Sequence, residues 1–362
     1  MGRLIHLVVS KPVAAVQWAS FLLYAGSMPF VYFGVKRLLG SGGAMRLLAA
    51  YVVSWIPIYF SRSGTNHAAD LFVAALMLYS VFLQGFGKRG NGGIWLFSLG
   101  MVLSAGFRLP SFIMLSPFFA AVLLVHRQEW RVWAGYVLAA AAVVAVQIFA
   151  IHCFGGWEAF RQASAALAGD TDKTSVVLSG LSAQSVANLG RAGIWYAMTV
   201  AVLLPIPLMA LLGGNRRAFL RSPHVLIALC SIAGPLAINA LYLSTHPGYL
   251  AVAVPGSFWL IALSWQQFDG NRWAGRLPVI SALASVCCFF GFHIFNPPSA
   301  ISQAVANGFL LQYSRDGIER HVWRPTAEWM LISGNRDMVP SGRQESLKTY
   351  LEFRESRKSG AP

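Results

Sequence analysis

Apolar stretches long enough to cross a bilayer follow one another along most of this chain, and the short loops between them are strongly basic at every second position. A hydrocarbon core about 30 Å thick takes roughly 20 apolar residues as helix, because backbone amides there must bond within their own segment. By that measure about ten stretches qualify, near residues 13–35, 44–60, 67–86, 93–107, 109–126, 132–154, 192–212, 224–243, 248–265 and 277–295. The expected fold is an all-α polytopic membrane protein with about ten transmembrane helices.

Charge orients those helices. Lys36, Arg37, Arg46, Lys88, Arg89, Arg127, Arg131, Arg216, Arg217, Arg221, Arg272 and Arg276 share one set of loops with only Glu129 and Asp269. The alternate loops hold Arg62, Arg108, Arg161, Lys173 and Arg191 against Asp70, Glu158, Asp170 and Asp172. Positive charge marks the cytoplasmic side, so residues 61–70 and 244–250 are expected outside, together with both termini. The chain then divides into an outer segment 1–12, a transmembrane domain 13–295 and an outer tail 296–362. The membrane implied is a bacterial inner (cytoplasmic) membrane. An outer start with no preceding span predicts that the chain begins partway into a longer design. The first apolar run is too long for a cleaved signal, and no small-x-small site follows it.

Composition removes the competing classes. Of 362 residues 56% are hydrophobic and 11% charged, with a mean hydropathy of +0.57. A soluble domain carries about a quarter charged residues. The formal charge of +15 raises nucleic acid as a partner, but most of the excess sits in the short basic loops, where anionic membrane lipids account for it. Nucleic acid is therefore not expected. Cys153, Cys230, Cys287 and Cys288 have no metal spacing and read as small buried hydrophobes. The glycine clusters at 42–43, 90–93 and 213–214 lack the G-x-x-x-x-G-K-[ST] order and read as turns. No metal motif occurs; a divalent ion stays open, and no other cofactor is called for.

Ionisable groups near a membrane are costly and concentrate at function or at structural pairs. Three outer segments gather them. In 61–70, Asp70 opens an apolar helix that Asn66 or Thr65 can cap; it either complements the helix dipole or, with His67, serves as acid, base or substrate ligand beside Arg62 as a phosphate clamp. In Gly106-Phe107-Arg108-Leu109-Pro110, a tight turn or re-entrant corner with a break at Leu109, Arg108 pairs with Asp70, snorkels to headgroups or binds a lipid phosphate. In His246-Pro247-Gly248-Tyr249, His246 and Tyr249 either shape a turn or bond a sugar or phosphate. Asp170 and Asp172, in the long segment 155–191, read as a solvated acidic turn. The tail carries a weakly amphipathic helix candidate around 343–357.

The order of these segments resembles the GT-C glycosyltransferases of the protein-mannosyltransferase and lipid-A aminoarabinose-transferase type. The run WASFLLYAGSMPFVYFGVKRLLG…AMRLLAAYVVSWIPIYFSRSGTNHAADLFVAALMLYSVFLQ (18–84) is similar to their second to fourth helices, SAGFRLPSFIMLSPFFAAVLL to the next hairpin, and HPGYLAVAVPGSFWLIALS to a late segment in which Pro-Gly-Tyr opens a helix. The resemblance implies transfer of a sugar from a polyprenyl-phosphate carrier to a lipid, glycan or protein acceptor at the outer face. It also implies a catalytic acid in the first outer loop. Residues 1–12 look like the end of that loop and hold no acid, so of the family's acids only the position of Asp70 carries over. A chain lacking that acid leaves a second expectation, a non-catalytic flippase or degenerate partner subunit.

Overall fold

A computed structural model of the chain describes residues 12–62, 67–83, 86, 91–153, 156–158, 160–161, 176–180, 183–213, 216–241, 247–268 and 272–294. The chain divides into two units. One is residues 1–20, 62–65 and 298–362, of which 12–20 and Arg62 are described; the other, 21–61 and 66–297, holds all the packing below. The tail and the acidic turn at 170–172 lie outside the described residues.

The described residues are helical, with no strand among them. The helices are α1 (Pro12–Val52), α2 (Trp55–Arg62), α3 (His67–Val81), α4 (Asn91–Phe107), α5 (Leu109–Met114), α6 (Ser116–Val125), α7 (Trp130–Cys153), α8 (Val176–Ser179), α9 (Ala183–Val200), α10 (Pro205–Leu212), α11 (Arg216–Arg221), α12 (Pro223–Leu241), α13 (Ala253–Gln266) and α14 (Arg272–Ile294). Short 3-10 turns at Ala201–Leu203 and Pro247–Val252 precede α10 and α13.

Among the described residues four helices are long and apolar enough to span a membrane: Trp18–Val52, Trp130–Cys153, Pro223–Leu241 and Gly248–Gln266, the last including the 3-10 turn. A fifth arises if Ala192–Leu203 and Pro205–Leu212, bent by 68°, count as one broken span. Four more apolar helices run 10–17 residues. Among the described residues full-length spans thus number four to five where hydropathy along the chain expects about ten, and backbone breaks account for much of the difference. The basic turn expected between the first two apolar stretches is a single-residue break at Gly40, whose φ of 68° and ψ of 179° suit a residue without Cβ. The stretch 44–60 breaks again at Val53–Ser54. There the Tyr24 hydroxyl donates to the Val52 carbonyl, and Thr199 Oγ1 accepts the Ile56 N–H at 3.3 Å, supplying partners to helix-end groups that have none within the helix. The stretch 109–126 is two helices, each with a proline in its first turn.

Two helices form the centre. In α3, 13 of 15 residues are buried, and the Gly248–Gln266 window is 89% buried. A helix apolar all round belongs inside a bundle. They run in the same direction: Gly248 meets His67 at the start of α3, while the Phe82 ring just past its end packs 6.2 Å from Trp259. Helix α7 is peripheral, its window 17% buried. It rests on α4 through Ser98 Oγ donating to the Gly135 carbonyl (3.1 Å) and Gln147 Nε2 to the Ala105 carbonyl (2.8 Å). Its free face presents Trp133, Leu138 and Phe149, as a lipid-facing helix would. The expectation of buried cysteines fails at Cys153 and Cys287, which are free and exposed, because α7 and α14 lie at the rim.

The bundle has two unlike ends. Arg37 donates to the Phe82 carbonyl at 3.5 Å and stacks on Tyr79 at 5.6 Å, and Phe82 packs 4.9 Å from His224 at the start of α12. Arg46 donates to the Gly275 carbonyl at 3.4 Å. These contacts gather the basic helix ends beside the C-terminus of α3. At 1.5 Å per residue, Asp70 lies about 17 Å back along that helix.

Candidate functional site

Three chain segments converge at the start of α3. Its first turn is fully buried from His67 to Asp70, and spacing of three places both polar side chains on one face. His67 Nδ1 stands 3.5 Å from Asp70 Oδ2. The second segment is the corner between α4 and α5. Arg108 is extended there (φ −158°, ψ 106°). Its N–H donates to the Ser104 carbonyl at 2.9 Å, and its own carbonyl accepts from the Ser111 and Phe112 N–H groups at 3.0 and 3.3 Å. The backbone is pinned on both sides, so the side chain leaves in a set direction. It reaches α3, where Nη1 donates to Asp70 Oδ2 at 2.6 Å and to His67 Nδ1.

The third segment is the 3-10 turn before α13. Tyr249 lays its ring 4.5 Å from the Arg108 guanidinium carbon, a cation–π contact, and meets the His67 imidazole edge-on at 5.8 Å. Gly248 sits against the same imidazole; a Cβ there would run into three of its ring atoms. On the far side Phe60 of α2 packs 4.7 Å from His67 and 6.3 Å from Trp195 of α9. The Ser111 hydroxyl lies beside the Asp70 carboxylate, outside hydrogen-bond geometry.

Asp70 and Arg108 are 3% and 8% exposed at the side chain. Burial of either charge alone is costly, and each compensates the other. Because guanidinium nitrogens only donate, His67 Nδ1 is an acceptor, which places the imidazole's own proton on Nε2. Among the described residues these three groups sum to zero charge: one carboxylate, one guanidinium, one uncharged imidazole.

Among the sequence candidates, Asp70, His67, Arg108 and Tyr249 come together. Of the three alternatives for Arg108, the observed one is the pair with Asp70, an acid 38 positions away in the chain. The break expected at Leu109 falls one residue earlier, at Arg108. Asn66 and His246 lie outside the described residues. Arg62 closes α2, and its side chain is outside them too. Sequence reasoning missed Phe60, Trp195, Ser111 and the role of Gly248. It also missed Tyr196, whose hydroxyl bonds Ser257 Oγ and ties α9 to α13. Only the Pro-Gly-Tyr turn carried a local signal for any of these. Among the described residues no three His, Cys, Asp or Glu side chains converge as a metal site.

No protein-family model, curated protein or solved structure matches the chain.

Proposed function

We propose that this chain is a GT-C-like membrane glycosyltransferase that moves a sugar from a polyprenyl-phosphate carrier to an acceptor hydroxyl. One observation carries the reading: a buried cluster of Asp70, His67, Arg108 and Tyr249 built from three segments, at the end of the bundle away from the basic helix ends. If those bases face the cytoplasm, the cluster faces the outer side. The short apolar helices count as further crossings in this reading, about ten in all, and both termini lie outside.

The chemistry requires a cation for the leaving phosphate and a base for the acceptor. Arg108 serves as the cation, with Tyr249 holding the plane of its guanidinium. Asp70 serves as the base, because it is the carboxylate that stands directly beside Arg108. The acceptor oxygen bonds to the anomeric carbon as the bond from that carbon to the phosphate oxygen breaks. The electron pair leaves with the phosphate, and the acceptor proton goes to Asp70.

The closeness of the Arg108–Asp70 pair (2.6 Å) also favours a second reading, in which the pair only pins α3 to the α4–α5 corner of a non-catalytic flippase or partner subunit. Reconstituted vesicles decide between them. Transfer of label from a radiolabelled polyprenyl-phosphate sugar, lost in folded Asp70→Asn and Arg108→Gln, supports the transferase. Absence of transfer with carrier scrambling across the bilayer supports the flippase.

A further inference from the structure

We propose that anion binding at Arg108 is coupled to the uptake of one proton by His67. The inference rests on the reading of Arg108 as the cation that meets the carrier phosphate, and it states what that contact demands of its neighbours.

Charge must balance in a buried place. The side chains of His67, Asp70 and Arg108 are 8%, 3% and 8% exposed. As described above, the cluster is neutral when the imidazole is uncharged. A phosphodiester brings one negative charge. Placed against Arg108, it would leave the cluster one charge negative at a site where uncompensated charge is strongly disfavoured.

His67 can restore the balance without moving far. Its Nδ1 already stands 3.5 Å from Asp70 Oδ2. Once protonated there, the imidazole can no longer accept from Arg108 and repels it. It donates to Asp70 instead, and replaces the guanidinium as the carboxylate's counter-ion. Arg108 then turns to the anion. Both arrangements are neutral, and the same four side chains build each.

The geometry of Arg108 suits the exchange. Among the described residues both of its side-chain hydrogen bonds leave from Nη1. Nε and Nη2 remain for two-point contact with phosphate oxygens, while Tyr249 at 4.5 Å keeps the plane in place. Among the described residues, those facing His67 include Asp70 on its own helix, Arg108 from the α4–α5 corner, Tyr249 and Gly248 from the 3-10 turn, and Phe60 from α2. Of these only Asp70 is a rival site for the proton.

The test uses the purified full chain in discs of uncharged phospholipid. The probe is farnesyl methyl phosphate, a diester that keeps a single charge from about pH 5 to about pH 8.5, so its own titration does not intrude. The imidazole ordinarily titrates near pH 6.5. Above its titration, Kd is expected to rise by about tenfold per pH unit, as linkage of one proton to one anion requires. Calorimetry in buffers of differing ionisation heat should show about one proton taken up per ligand. His67→Gln should bind weakly and without pH dependence. Asp70→Asn leaves Arg108 without its internal counter-ion, and should bind tightly at every pH. Should His67→Gln fail to fold, the proton count on the wild type and the Asp70→Asn profile still decide.

A pH-independent Kd in the wild type overturns the coupling and leaves Arg108 as a phosphate contact. A pH dependence that survives His67→Gln puts the proton elsewhere and overturns the assignment. No binding at any pH removes the phosphate reading and the coupling together.

Discussion

Neutralising one member of the Asp70–Arg108 pair should destabilise the protein far more than neutralising both. Asp70→Asn leaves a guanidinium 8% exposed without its carboxylate, and Arg108→Gln leaves a carboxylate 3% exposed without its guanidinium. Removing one partner of a buried pair costs about 3–5 kcal/mol because the other charge is left uncompensated, whereas removing both charges leaves none uncompensated. Each single change should therefore shift the unfolding equilibrium by about 10²- to 4 × 10³-fold, at about 1.4 kcal/mol per tenfold. The double variant should lie within about 1 kcal/mol of wild type. That makes the coupling energy of the cycle several kcal/mol, well above the roughly 0.5 kcal/mol scatter of independent sites. The Arg108→Gln loss should shrink on acidification, because an imidazolium 3.5 Å from Asp70 Oδ2 can stand in for the guanidinium. The assay is unfolding in mixed micelles of rising SDS fraction, followed by circular dichroism. Single variants that each cost under about 1 kcal/mol and add in the double would show the pair behaving as a solvent-screened surface pair, and the burial argument would be wrong.

Three further outcomes follow from the packing. Gly248→Ala drives a methyl into the His67 ring and should cost about 1–3 kcal/mol as overpacking; Gly106→Ala, with nothing within 4 Å, should be neutral or gain about 0.5–1 kcal/mol in helix propensity, both read in the same SDS titration. Tyr249→Phe keeps a ring over Arg108, so Tyr249→Leu should lose about 0.5–2 kcal/mol more than Tyr249→Phe, the worth of the cation–π contact; equal losses would show that the hydroxyl, not the ring, matters. Gln147→Leu removes a hydrogen bond of 2.8 Å between α7 and α4 and should cost about 0.6 kcal/mol, with α7 becoming more open to proteolysis than α3.

Much of the candidate site was readable one segment at a time. Asp70 and His67 stood out as ionisable groups opening an apolar helix. Arg108 stood out as a cation in a proline corner, and Tyr249 as part of a Pro-Gly turn. Their partnership was readable only as one of three alternatives for Arg108. Asp70 and Arg108 are separated by 38 positions and Arg108 and Tyr249 by far more; loop charge assigned all three to one face, but nothing in the intervening apolar helices records which of them touch. Gly248 looked like a turn glycine; its use is to let the turn lie against the imidazole, a constraint that exists only once α3 and the turn have met.

Composition and periodicity determined that the chain is helical and apolar in the manner of membrane proteins, since few soluble cores could hold 56% hydrophobic residues. They also determined where the basic loops fall. What the tertiary structure decided is how many apolar stretches become full-length spans, because a single glycine or proline redirects a helix without altering hydropathy. It decided which helices are central, as α3 and α7 are alike in apolarity and opposite in burial. And it decided the charge partner of Arg108. A buried guanidinium needs a counter-ion within a few ångströms, and only packing brings the one at position 70 to it.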